Sequence, residues 1–559
     1  MKKPWSLLVL LLTLVSCQGP TDRSYDILIV NGTLVDGTGN PWSIADIGIR
    51  GDRIAAVGIL RGATAARTID AKGKIVAPGF IDMLGQSGLS LLVDNRAMSK
   101  ISQGITTEVT GEGGSVAPVN QSILEDWKEF TARHSLTVDW KDFEGYIRRF
   151  EAHGSAVNLA SFVGATQVRA YVLGLGSREP SKEELLEMQA LVREAMEQGA
   201  LGLATSLIYA PATYAKTDEL ISLARVAAEH GGIYITHLRD EGSKITQALF
   251  EATDIGRTAG LPVHVWHLKV AGKQNWGRMF EVVQMIEQQR LQGLDMTADV
   301  YPYPASSTSL SSRVPSWVHD GGSAMFLARL TDPPTRQNIR NEMIGAGSGV
   351  DNSFASTGPE GILIASVVNP ELKQYEGKRL SDIAASWNKQ PIDMMLDILV
   401  ADSGRTSAVF FSMNEQDVQM ALAQSWTSIC TDAGQRAVDG PLSLGKPHPR
   451  AYGSFPRVLG NYVREQRLLP IEEAVRKMTS LPANRVGLRE RGILRPGMFA
   501  DVVIFDPGTV IDKATFESPH QYSEGIEHVF VNGQLVWEDG RHTGALPGRF
   551  LRGPGWQGN

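Results

Sequence analysis

The chain has 559 residues, 42% of them hydrophobic, with 57 glycines and 27 prolines; it suits a turn-rich α/β protein too long for one small domain, and one large barrel with an accessory domain fits that length as well as three small domains do. Its formal net charge of −7 lacks the basic excess of a nucleic-acid footprint, so no nucleic acid is expected and the partners are small molecules.

Met1, Lys2 and Lys3 make a basic start, and WSLLVLLLTLVS, residues 5–16, follows as an apolar run. A dozen residues fall short of the ~30 Å hydrocarbon core of a bilayer, so the run has the size of a signal-peptide core, the other reading being a buried apolar helix. Leu14-Val15-Ser16-Cys17 is similar to a bacterial lipobox, which makes residues 1–17 an expected lipoprotein signal peptide with the lipid on Cys17. Membrane contact is then through that anchor alone, at the cell envelope, and Gln18 resembles the residue found in lipoproteins sent to the outer membrane. With Cys17 lipidated, Cys430 has no partner and no disulfide is expected.

From residue 24 the runs YDILIVNGTLVDGTG, SIADIGIRGDRIAAVG and RTIDAKGKIVAPG are rich in Ile and Val and broken by Asn-Gly, Asp-Gly and Gly-Asp, which are hairpin signals. The pattern returns in ADVVIFDPGTV and GIEHVFVNGQLVWEDGRHTG, so residues 24–77 and 488–545 are expected to form a β-sandwich from both chain ends. Between them, short β-rich runs recur at 75–84, 105–110, 158–164, 200–207, 233–239, 263–269, 296–303 and 428–434, with helical stretches between most of them. In SKEELLEMQALVREAMEQG and TDELISLARVAAEHGG the apolar residues fall at three-to-four spacing, with Ser181 and Thr217 placed as caps. Such alternation implies parallel strands, and eight of them imply a closed (β/α)8 TIM barrel over residues 78–487. The stretch from 304 to 427 is too long for a helix connection, and an inserted subdomain at about 311–405, a possible lid, is expected there.

Catalytic groups of such a barrel come from the C-terminal strand ends, where His237 in ITHLRDEG, His267 in VWHLK and Asp432 in CTDAG stand. Two neutral imidazoles and a third ligand make an open zinc site, and a carboxylate that does not hold the metal can take a proton from water and pass it to a leaving group. Each residue alone is equally consistent with a hydrogen-bonded core position; their joint placement on the fifth, sixth and eighth strands carries the reading. His264 falls on the opposite face of its strand and is read as packing, and His134, His153, His319 and His542 as solvated.

PGFID, SQGITTEVTG, SLIYAPATYA, THLRDEG, WHLKVAG, HPRAYGSFPRVLGNYVRE, KMTSLPANRVGL and RGILRPGMFADVVIFDP, in that order, resemble the amidohydrolase superfamily and within it the N-acyl-D-amino-acid deacylase (D-aminoacylase) family. The resemblance implies that His237 and His267 hold a tightly bound zinc and that Asp432 is the general base and acid. Departures accompany it. The first strand reads Asp82-Met83-Leu84-Gly85-Gln86-Ser87 in place of His-x-His, which implies a site without the second, weakly held metal. Gly111-Glu112-Gly113-Gly114-Ser115 stands where Asn-Cys-Gly supplies a bridging thiolate, and Ala165 stands where a His is common.

Glu112 is therefore the candidate third ligand, since a carboxylate oxygen at about 2.0–2.2 Å can replace a thiolate; the alternatives are a solvated turn glutamate or an acid that binds substrate. Gln86 can act as a neutral oxygen donor or a substrate hydrogen-bonder. Arg239, Asp240 and Lys269 flank the proposed ligands, where a cation can hold a substrate carboxylate or form a rim ion pair. Tyr209 can close the acyl pocket or pack, and His448 can line the pocket or be solvated. The expectation is an enzyme with one Zn²⁺ that deacylates N-acyl-D-amino acids. A dipeptidase or cyclic amidase of the same superfamily is the nearest alternative, and an inactive ligand-binding surface lipoprotein the alternative of another class.

Overall fold

A computed structural model describes residues 24–345 and 353–558; the expected leader with Cys17 lies outside them. Each of the eight β-rich runs contains a barrel strand: Phe80–Asp82, Ile105–Thr110, Asn158–Ser161 continued by Val163–Gly164, Gly202–Ser206, Ile233–His237, Val263–Val265, Met296–Val300 and Thr427–Ile429. Neighbouring strands are parallel from the first to the third and from Val163–Gly164 to the eighth. The ring closes where Asp432 donates its backbone N–H to the Leu84 carbonyl at 2.8 Å and Gly85 bridges Ala433.

A buried polar cluster fastens that closure. Lys100 Nζ lies 2.9 Å from Asp82 Oδ2, 3.2 Å from Glu108 Oε1 and 2.8 Å from Thr431 Oγ1, with no exposed side-chain surface on Lys100, Asp82 or Glu108. Gly85 is required beside it, because a Cβ there would stand 1.9 Å from Glu108 Oε1. The first-strand turn thus has the shape of a packed barrel closure.

Both chain ends build one accessory sheet of nine strands: Val502–Phe505 pairs antiparallel with Ile75–Pro78, which runs parallel to the end of Ser24–Leu34. Ile29, Ile47, Ile49 and Ile54 from the N-terminal strands pack with Val502, Ile504 and Phe530 from the C-terminal ones in one apolar cluster, the core of the β-sandwich. Beyond it, the chain returns across the barrel, where Leu551 donates to Leu159 O and Gly553 to Gly199 O, and Phe550 is buried against Tyr146 and Phe150.

The inserted subdomain is wider than expected. Ser306–Ser309 pairs with Ser407–Phe410, which pairs with Ile362–Ser366, around a separate core containing Leu310, Ile362, Ile364 and Phe410. The expected limits of 311–405 omitted its flanking strands because SSTS carries no apolar alternation to mark a strand. Helix Lys182–Glu197 has its Ser181 capping box, with Glu184 as the reciprocal partner. Thr217 does not cap: it is already helical, and its hydroxyl donates to Glu251 at 2.9 Å.

Candidate metal centre and catalytic cleft

The C-terminal strand ends open into a cavity of about 840 Å³ between the barrel and the subdomain. Glu112 reaches it from a turn that only glycine permits. Gly111 has φ +114° and a Cβ there would lie 2.6 Å from the Phe162 carbonyl, while at Gly113, φ +67°, it would lie 2.8 Å from Ser206. Glu112 Oε1 stands 2.9 Å from His237 Nδ1 and 2.9 Å from His267 Nε2, and the two imidazoles are 4.4 Å apart, edge to face.

The opposite nitrogens of both rings face Glu241, at 3.5 Å from His237 Nε2 and 3.2 Å from His267 Nδ1. Inner nitrogens converging on one point and outer nitrogens turned to a carboxylate are the arrangement of imidazoles that hold a metal. His237, His267 and Glu112 offer ligand atoms within 4.8 Å of one another. Charge gives the same answer. Burial and the Lys269 ammonium push the His267 imidazole down, yet Asp432, Glu112 and Glu241 outweigh them and raise it to about 10, so this group of acids calls for a cation. Burial pushes the Glu112 carboxyl up, but the two imidazoles hold it well below the usual carboxylate range. The residues present fit a divalent ion with nitrogen and oxygen ligands.

Asp432 stands across the cleft, 7% exposed, with Arg450 Nη1 2.5 Å from Oδ2 and the Gln86 amide donating to Oδ1 at 2.8 Å. Burial raises its pKa to about 6 against the opposing pull of Arg450 and His267. Lys269 Nζ contacts Glu241 Oε1 at 2.5 Å and His267 Nδ1 at 2.7 Å. The Tyr301 ring carries Arg450 4.5 Å and Lys269 5.9 Å from its centre, which sets two cations around one buried aromatic. Tyr209 lies edge-on to His237 at 5.4 Å, and its hydroxyl meets Thr308 of the subdomain at 2.9 Å.

Two residues expected at the substrate line the cavity and are held by protein partners in this structure. The Arg239 guanidinium pairs with Glu251 at 2.8 and 2.9 Å and donates to the Thr213 and Ala215 carbonyls, tying its own loop to the one that follows the fourth strand. His448 lines the cavity as expected, buried rather than solvated, with Nε2 2.9 Å from the Ala305 carbonyl and Nδ1 accepting the Arg450 backbone N–H at 3.0 Å. Asp240 caps its own loop, accepting from Gly242 and Lys244 backbone N–H groups. His264 is buried between Thr297 and Asp299, and His319, read as solvated, is half-buried and stacked on Phe326. Glu241, Arg450 and Tyr301 escaped the sequence reading. Glu241 is four residues after His237 and Arg450 two after His448, inside segments already singled out, but neither spacing says which side chain turns inward.

A barrel whose C-terminal mouth gathers this donor set defines a metal-dependent hydrolase. The amidohydrolase family model matches residues 67–320 and 432–537. A D-aminoacylase of Alcaligenes xylosoxydans xylosoxydans is 38% identical over 95% of this chain and 98% of its own. A solved D-aminoacylase, described by one-metal activation and second-metal attenuation of a binuclear centre, superposes with TM-score 0.77 at 38% identity. An N-acyl-D-glutamate deacylase from Bordetella bronchiseptica, complexed with zinc and a phosphonate mimic of the tetrahedral intermediate, gives TM-score 0.78 at 35% identity over 95% of this chain and 100% of its own. The chain belongs to the amidohydrolase family, and it is a hydrolase of carbon–nitrogen bonds other than peptide bonds.

Proposed function

We propose that the chain hydrolyses the amide bond of N-acyl-D-amino acids at a single zinc ion held by His237, His267 and Glu112. The observation that carries this reading is the convergence of Glu112 Oε1 on both imidazoles at 2.9 Å, in the same cleft as a carboxylate raised to about 6. Held by His237, His267 and Glu112, a divalent ion would supply polarisation of the amide carbonyl and a more acidic water. Asp432 takes a proton from the attacking water and returns it to the departing nitrogen, a double duty suited to a carboxyl poised nearer neutrality than usual. Glu241 faces the outer edges of both imidazoles, and Lys269 and Arg450, paired in this structure with Glu241 and Asp432, are the cations beside the proposed ion that a substrate carboxylate would recruit.

The cavity lining holds six Lys and Arg side chains against five Asp and Glu, so a divalent ion would add to a positive excess, which supports an anionic substrate. The relatives that act on N-acyl-D-amino acids, and the phosphonate mimic bound by one of them, support the substrate class. A panel of N-acyl-D-amino acids, their L-counterparts and dipeptides tests it: turnover confined to the N-acyl-D series is expected, and cleavage of dipeptides alone rejects it.

The leader belongs to the same proposal. Leu14-Val15-Ser16-Cys17 supports lipid anchoring in the cell envelope, outside the described residues, and among those no helix is long and apolar enough to cross a membrane. Mass spectrometry of the mature N-terminus should find a lipidated Cys17, and Cys17→Ser should move the protein to the soluble fraction. An unmodified, soluble wild type contradicts this.

A further inference from the structure

Gln86 lies four residues past the first barrel strand, in the turn that closes the barrel, and is exposed to the cavity. Its amide nitrogen lies 2.9 Å from Glu112 Oε2 and 2.8 Å from Asp432 Oδ1. Ionised carboxylates only accept, so the amide must turn its nitrogen toward both, and its two N–H bonds are engaged, one on each. Glu112 gives its other oxygen to the imidazoles, and Asp432 gives its other oxygen to Arg450. One amide therefore joins the acid of the metal site to the acid that moves protons.

Two carboxylates brought this close from different strands form a place where a second divalent ion would bridge. A neutral donor there quiets their repulsion without adding charge. A second ion would have to displace the amide and break both hydrogen bonds, with Leu84 and Gln86, in the turn after the first strand, supplying no imidazole. It would also lie against Asp432 and oppose its taking a proton.

We propose that Gln86 is a positioning residue that stands in for a second metal: it holds Asp432 beside Glu112 and confines the cleft to one ion. This rests on the one-zinc hydrolase reading above. It makes the enzyme indifferent to the excess zinc that would fill a second site, in contrast to the D-aminoacylase whose second metal attenuates.

The test is a calorimetric zinc titration of the metal-free, full-length protein, with bound metal counted by elemental analysis and turnover followed to about a hundredfold excess over the first dissociation constant. Wild type is expected to take one equivalent and to keep its rate in excess zinc. Gln86→Glu and Gln86→His, which put a ligand at an exposed position, are expected to take a second equivalent and to lose turnover severalfold as it fills. Two equivalents in the wild type, or one in both variants, overturns the proposal. A wild type that takes no zinc, or a one-zinc protein without amidase activity, instead defeats the parent reading.

Discussion

His267 and Asp432 both hold left-handed backbone conformations, φ 35° and 46°, at the ends of their strands. Such positions cost on the order of 1–3 kcal/mol and persist only when neighbours fix them. Asp299 Oδ1 accepts the His267 backbone N–H at 2.6 Å, and Leu84 O accepts that of Asp432 at 2.8 Å. Asp299→Ala should release the His267 backbone and weaken zinc binding roughly 10–100-fold, read by competition with a chelator; unchanged affinity would remove Asp299 from the account. Asp432→Asn keeps the shape, cannot take a proton, and should retain its zinc while losing about 10²–10⁴ in kcat. The sign of the pH dependence follows from burial raising Asp432 to about 6: the working form is the carboxylate, so activity is present above that pH and lost below it. A bound cation can only lower that value, so the acidic limb of kcat/KM should centre no higher than about pH 6, and a limb near pH 8 would contradict the assignment. Sequence spacing placed His237, His267 and Asp432 at strand ends, since a strand's end is a matter of pattern. The inward turn of Glu241 and Arg450 depends on loop path, which pattern does not carry.

Elements were legible where their surroundings repeat. The helix Lys182–Glu197 announced itself through apolar residues at three-to-four spacing and Ser181 as its cap, and the structure adds Glu184 as the reciprocal partner of a capping box. Ser181→Ala should lower stability by about 1 kcal/mol in denaturant unfolding, through loss of the N-cap oxygen. Thr217 resembled Ser181 in sequence, yet Glu251 takes its hydroxyl and the helix begins one residue earlier than a Thr217 cap requires. Serine-rich Ser306–Ser309 became a strand only because Ser407–Phe410 lies beside it, a long-range pairing that a local pattern cannot contain. The barrel closure is likewise long-range. Lys100→Met leaves Asp82 and Glu108 buried without their cation and should cost about 3–5 kcal/mol by the same assay, a loss under 1 kcal/mol showing that the cluster tolerates an apolar partner.

At the scale of the whole molecule, strand–helix alternation made the barrel readable, and matching hairpin signals at both ends made the accessory sheet readable. The returning tail was not, since Phe550 and its neighbours show no periodicity and gain their place from long-range partners, the Leu159 and Gly199 carbonyls and the Tyr146 and Phe150 rings. The subdomain meets the cleft through Thr308 and Tyr209, so barrel loops and insertion together bound the substrate cavity. Within that frame the chain lacks a first-strand His-x-His but keeps the imidazole pair and the Asp432 carboxylate, and the central proposal is that one ion sits among His237, His267 and Glu112. Crystals of the zinc-loaded protein measured on both sides of the zinc absorption edge decide this. A single anomalous peak within about 2.0–2.2 Å of one atom from each of the three residues is predicted. No peak there, a second peak between Glu112 and Asp432, or a peak that Glu112 does not touch would contradict it.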